Sequence, residues 1–306
     1  MKHVLFFIIS VIVLMINSGT ATELTNLTNT NEISIGIYIL NIGKFDISTG
    51  SYTVDFYMSL KCSKNCKNQD FEFVNGRAAS TEKIIDKDNE TFYRIQAALS
   101  SPIDLKRFPF DSQSLNILIE DKKYTINDVV YLSNLDETGL DSSIAFAGWY
   151  IEEWNVSIDE HYYPVYNETY SQYRFSIPIS RITINSIIKT FLPIAFIILV
   201  MLSSFVLDPD KITTRLAMVG SALVASVMFH VSLANQIPPV SYLTFADKFM
   251  ILSYFVILLS FVFNVMLLEL HERKKDDIVK KIHHLTEFTM FIIVPLLYVV
   301  LFLLAL

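Results

Sequence analysis

The C-terminal part of this chain holds four apolar segments, about Ile187 to Leu207, Ile212 to Ala234, Phe245 to Leu270 and Leu285 to Leu306. Each is about 20 residues or longer, the length an α-helix needs to cross the roughly 30 Å hydrocarbon layer of a bilayer. They predict a transmembrane domain over residues 187–306 built from four helices. The first, third and fourth are nearly free of charge. The second carries Thr213, Thr214, Arg215, Ser221, Ser226, His230, Ser232 and Asn235, polar groups that are costly when they face lipid. Of the 306 residues, 52% are hydrophobic and 18% charged, which places the chain on the apolar side of an ordinary globular protein.

Residues 1–21 begin with Lys2 and His3, run through an apolar stretch from Val4 to Ile16 and close with Gly19, Thr20 and Ala21. That order is a secretory signal peptide with cleavage after Ala21; an uncleaved N-terminal anchor is the other reading, and both export the segment from Thr22 onward. Residues 22–186 are polar, with 23 Asp plus Glu against 14 Lys plus Arg, a net of -9. The cluster His271 to Lys275, with Lys280 and Lys281 just beyond, lies between the third and fourth spans, whereas Gln236 to Thr244 has no basic residue. The positive-inside bias therefore agrees with a plasma-membrane protein whose N-terminal half and C-terminus are both outside.

The exported half reads as strands. Ile33 to Leu40, Tyr52 to Leu60 and Ser114 to Glu120 alternate apolar with polar residues, and Thr91 to Leu99, Trp149 to Ser157 and Tyr170 to Ile179 are further candidates. Period-two runs at short spacing predict an antiparallel β-sandwich over residues 22–186. No nucleophile elbow, phosphate loop or HExxH pair is present, and adjacent acids such as Glu152 and Glu153 point to opposite faces of a strand, so no catalytic residue is assigned and the chain is read as a non-enzyme. The formal charge of -7 and the absence of a basic face argue against a nucleic-acid partner. Cys62 and Cys66 are the two cysteines; they predict a local disulfide on the oxidising side of the membrane, with two free thiols as the alternative. No metal site and no cofactor are read from the chain. Sequons stand at Asn26, Asn89, Asn155 and Asn167.

The segment Ser101 to Gln113, with its Phe108-Pro109-Phe110-Asp111 turn, resembles the signature loop of the pentameric ligand-gated ion channels, also called Cys-loop receptors. Phe146-Ala147-Gly148-Trp149, Ile179-Ser180-Arg181, Leu192-Pro193 and the loop Ile237 to Tyr242 are further local matches, and the order of sandwich and four spans is the family's own. Animal members bracket the loop with two cysteines; Ser101 and Leu115 stand here, as in the bacterial branch. The resemblance implies a homopentamer of identical subunits in a lipid bilayer, with an extracellular sandwich that binds a small agonist and a second helix that lines the pore.

On a helix, Thr213, Ala217, Ser221, Val224, Met228, Val231 and Asn235 recur at steps of three or four and share one face. With the resemblance, this stripe reads as the pore lining, narrow at Thr213 to Ser221 and able to gate by dewetting at Val224 to Val231. A Ser/Thr-rich span packed against its neighbours is the other reading of the same residues. Arg215 falls off the stripe and is expected against neighbouring acids. Asp208, Asp210 and the acidic exported half favour permeant monovalent cations over anions. The resemblance further implies that Asp46, Asp111 and Arg181 form a charged coupling cluster with Phe108 and Pro109 of the signature loop, meeting Pro238 and Tyr242. It places candidate ligand contacts at Phe73, Arg77, Tyr131, Tyr166 and Tyr170, where aromatic faces suit a cation or amine. The function expected is a ligand-gated, cation-selective channel; an anion channel of the same family and a non-conducting membrane receptor are the alternatives.

Overall fold

A computed structural model describes residues 30–66 and 70–305; the expected signal peptide and the sequon at Asn26 lie outside the described residues. Eleven strands come first: β1 (Asn31–Ile42), β2 (Ser51–Cys62), β3 (Phe71–Phe73), β4 (Gly76–Asp86), β5 (Glu90–Ser100), β6 (Ser112–Asp121), β7 (Val129–Ser133), β8 (Gly139–Leu140), β9 (Trp149–Ile151), β10 (Asn155–Tyr163) and β11 (Glu168–Arg181). One sheet has the order β4-β5-β2-β1-β7 with β8 paired to β1, and the other the order β10-β11-β6-β3 with β9 paired to β11. The period-two pattern decides which faces meet. Ile33, Ile35, Ile37 and Ile39 of β1 interleave with Leu115, Ile117 and Ile119 of β6 and with Phe175, Ile177 and Ile179 of β11 in one buried core. Burying each such side chain contributes about 1.5–3 kcal/mol relative to leaving it exposed.

Two stretches depart from the sequence pattern. β4 is exposed along nearly its whole length and carries no apolar alternation; its ladder to β5, with bulges at Ala78/Ser80 and Lys83/Ile85, forms it instead. Trp149 to Ser157, read as one strand, is two. After Glu152 N–H donates to the Pro178 carbonyl at 2.9 Å, Glu153 and Trp154 leave the ladder, so that β9 pairs with Ile179 to Arg181 and β10 resumes pairing at Ser176. Cys62 and Cys66 are disulfide-bonded in the turn after β2, closing a loop too short to restrict the unfolded chain greatly.

The helices are α1 (Thr183–Ser203), α2 (Ile212–Ala234), α3 (Phe245–Glu272) and α4 (Asp276–Ala305), each long and apolar enough to cross a membrane. α3 starts at a capping box in which Thr244 and Asp247 satisfy each other's backbone N–H groups. α4 begins at Asp276, well before the apolar segment at Leu285, which leaves only Arg273 to Lys275 between it and α3. The physical reason is that apolar length reports bilayer thickness, while a helix continues through polar residues once it has left the hydrocarbon.

Candidate functional site

β11 runs into α1 with only Ile182 between them, so whatever holds Arg181 holds the entry to the first span. Asp111 does so. Arg181 donates from Nε to Oδ1 at 2.8 Å and from Nη2 to Oδ2 at 3.0 Å, and Gln113 donates a third bond to Oδ2 at 3.0 Å. The Asp111 carboxylate is fully buried, and the guanidinium lies 4.5 Å from the Trp149 ring centroid and 5.1 Å from that of Phe108. A two-pronged pair under aromatic faces is the geometry in which Arg and Lys are not interchangeable.

The same loop grips the membrane helices from above. Lys106 and Phe108 accept backbone bonds from Phe245 and Ala246 at 2.9 and 3.0 Å, which docks the loop on the first turn of α3. Leu105 N–H donates to the Tyr242 hydroxyl at 2.9 Å, and the Lys106 ammonium lies 5.7 Å from the Tyr242 ring centroid. Phe110 stacks on Phe191 of α1 and meets Phe245 of α3 and Phe302 of α4. Pro109 lines a cavity of about 240 Å³ beside Arg181 and Lys189, and Pro238 is half-buried in the α2–α3 connection. Asp46 corrects the expectation of a three-charge cluster. Its carboxylate is used by Ser48 at 2.6 and 2.9 Å in its own turn, which holds it below the usual carboxylate range, and it makes no ion pair with Arg181.

On α2 the seven residues of the stripe, Thr213, Ala217, Ser221, Val224, Met228, Val231 and Asn235, are all exposed in the single chain, while Ile212, Val219, Ala222, Ser226 and Leu233 are buried on the opposite side. Arg215 is a correction. It is fully buried against the Phe205 ring at 5.2 Å, with Nη1 3.3 Å from His283 Nδ1, and no acid lies at ion-pair distance from it among the described residues.

The five expected ligand contacts do not come together. Phe73 and Arg77 line a cleft of about 500 Å³ with Phe71, Tyr93 and Lys122, where short β3 leaves the sandwich edge open. Tyr131 is buried in the core, and burial pushes its phenol well above the usual range; a ring used for packing cannot meet a ligand. Tyr166 projects from the β10–β11 turn, and Tyr170 donates to Glu168 at 2.9 Å.

Sequence reasoning missed the polar cluster beneath that hairpin. Glu120 is buried on the outer face of β6, where His161 Nδ1 lies 2.5 Å from Oε1, Tyr163 donates to Oε2 at 3.0 Å and Gln172 donates to Oε1. Burial above all, and then the bond to Glu120, pushes the Tyr163 phenol up to about 12. Glu120 is separated from these partners by 41 to 52 positions, so only the strand pairing reveals the cluster.

No protein-family profile matches the chain. It is similar to a proton-gated ion channel of Gloeobacter violaceus, 22% identical over 248 residues that cover 72% of this chain and 68% of the relative. The human 5-hydroxytryptamine receptor 3B is 25% identical over 154 residues, 49% of this chain and 34% of the receptor. The acetylcholine receptor subunit alpha-L1 of Schistocerca gregaria is 26% identical over 187 residues, 57% of this chain and 33% of that subunit. The chain thus spans about two thirds of the first of these relatives and about a third of the other two. These are channels and receptors, not enzymes, and an N-terminal sandwich followed by four membrane-length helices matches the fold of pentameric channels. The chain is a multi-pass membrane protein with an extracellular N-terminal domain whose relatives are pentameric ligand-gated ion channels, and its two cysteines pair with each other rather than around its signature loop.

Proposed function

We propose that five identical copies of this chain surround an ion pathway in the plasma membrane, that α2 of each copy lines it, and that the pathway passes monovalent cations when an extracellular ligand binds. The observation that carries this reading is the stripe from Thr213 to Asn235, left uncovered by the chain's own helices while the opposite face of α2 is packed. Its inner half is small and weakly polar. Its outer half, with Val224, Met228 and Val231, suits a constriction that closes by excluding water. Cations are favoured because the guanidinium of Arg215 is turned off the stripe and buried, while Asp208, Asp210 and an extracellular half of net charge -9 supply negative potential.

Asp111 and Arg181 are the proposed coupling pair, since they join the last strand, the loop and α1 at one point. For the ligand, the Gloeobacter violaceus relative is named for proton gating, and the proton is accordingly the first candidate.

Purified protein recorded in planar bilayers under a salt gradient tests the reading. A reversal potential that tracks the cation supports it, one that tracks chloride overturns the selectivity, and silence under all ligands favours the non-conducting receptor. Val224→Ser should raise current in the absence of ligand by making the constriction easier to wet; unchanged or lower leak removes the basis for a gate at that level.

A further inference from the structure

With the sandwich outside, four spans put the α1–α2 connection and the α3–α4 turn at the cytoplasmic face. There Ile212 of α2, Leu267 of α3 and Val279 of α4 form a small apolar cluster of their own, apart from the larger core higher in the helices. Among the described residues, the side-chain hydrogen bond that joins α2 to α4 at this end runs between Arg215 Nη1 and His283 Nδ1 at 3.3 Å. Arg215 is fully buried, and its Nε and Nη2 are buried without a hydrogen-bond partner. A guanidinium has donors, no acceptor, and keeps its proton in a protein. The bond therefore exists only while His283 Nδ1 offers a lone pair, which makes His283 neutral with its proton on Nε2.

We propose that His283 is a cytoplasmic proton sensor: a proton taken up at Nδ1 removes the acceptor that the buried Arg215 uses and sets two cations side by side, so that acid inside the cell releases the inner turns of α4 from α2. Imidazole is the side chain whose ordinary charge change falls between about pH 5 and about pH 8. A buried guanidinium that loses its partner is costly to keep in place, so the docked arrangement weakens. The released imidazolium has a new partner within one helical turn, because Glu287 stands four residues further along α4.

The charges that act on His283 come from three elements: Arg215 of α2, Asp208 of the α1–α2 connection, and Glu287 and His284 of α4 itself. His284 is exposed, with Nδ1 3.6 Å from Glu287. α3 meets this corner with Leu267, Leu268 and Leu270, and its Glu269 is already paired to Arg273 at 2.7 Å. No carboxylate lies at ion-pair distance from Arg215 among the described residues, so the neutral imidazole is the group that keeps its guanidinium in place. His283 is half-buried about two turns into α4, before the apolar stretch at Leu285 begins, where cytoplasmic protons reach it. Each copy that takes up a proton there adds positive charge at the inner end of α2, which opposes the passage of cations.

The sensor is independent of which ligand opens the proposed channel, and two readouts on the full chain in lipid keep the two claims apart. The first is amide hydrogen exchange of residues 280–287 in vesicles, corrected for the intrinsic effect of pH. Exchange should quicken about tenfold between about pH 7.5 and about pH 5.5 in the wild type, the equivalent of losing one hydrogen bond to a charged group. His283→Gln keeps a carbonyl acceptor for Arg215 and gains no charge, so its exchange should not quicken, whereas His284→Gln should behave as the wild type. Quickening that persists in His283→Gln, or none in the wild type, overturns the sensor. Arg215→Gln is the second variant; it removes the opposing cation and should abolish the same quickening. The second readout is current across excised patches with the extracellular pH fixed and the cytoplasmic face acidified, which should fall in the wild type and hold in His283→Gln. A fall of equal size in both leaves the channel standing and overturns the sensor, whereas exchange that depends on His283 in a protein passing no current keeps the sensor and removes the channel.

Discussion

The two ends of the β6–β11 ribbon solve the same problem with opposite chemistry. At the membrane end, buried Asp111 is met by a guanidinium held between Phe108 and Trp149. At the hairpin end, buried Glu120 is met by an imidazole, a phenol and an amide. A guanidinium never loses its proton in a protein, so the lower clamp is permanent. At the upper clamp three side chains, from β10 and β11, share the one carboxylate. The two buried carboxylates differ in what meets them, one two-pronged cation against three separate donors.

The largest effect should come from Arg181→Gln. Glutamine preserves some hydrogen bonding but leaves Asp111 buried without a cation, and breaking a buried pair on one side costs about 3–5 kcal/mol. Pentamers should reach the surface but need far more ligand to open, measured by concentration-response curves at matched surface expression. Adding Asp111→Asn should recover part of the loss, because no lone charge remains, and the two single variants with the double variant form a cycle that measures the pair. Strict additivity would show that Asp111 and Arg181 do not act together.

Trp149→Leu tests whether the aromatic faces or the two-pronged pair holds the guanidinium. Losing one ring face removes about 0.5–2 kcal/mol, so the response should shift several-fold, well short of Arg181→Gln. A shift as large as that of Arg181→Gln would place the strength of the lower clamp in the aromatic sandwich. The smallest effect is expected at the upper clamp from Tyr163→Phe, which deletes one hydrogen bond to Glu120 at about 1 kcal/mol. Hairpin amides should exchange a few-fold faster at matched pH, and by the same factor across the neutral range, since a phenol pushed up to about 12 stays protonated throughout. Unchanged exchange in this variant would show that Tyr163 does not hold the hairpin through Glu120.

Much of this architecture was legible in the residues themselves. The alternating isoleucines of β1, the span lengths and the recurrence of Thr213, Ala217, Ser221 and Val224 are all local patterns, written by which side chains water and lipid reject. The signature loop and Arg181 were found by resemblance, and the structure brings Asp111 and Arg181 together across 70 positions. The rest needed pairing register. β4 has no apolar pattern and exists because β5 presents a ladder to it. Tyr131 looks like a ligand contact in sequence and is core, and Asp46 looks like a third coupling charge and is spent on Ser48.

Residue order alone sets where water ends and lipid begins, which strand positions face inward and which face of α2 carries the polar stripe, because solvation acts on each residue through its near neighbours. Which polar groups meet is settled only when the strands pair. Glu120 finds His161, Tyr163 and Gln172 through the antiparallel registers of β6, β10 and β11, and a slip of one residue in any of them would turn those side chains to the opposite face.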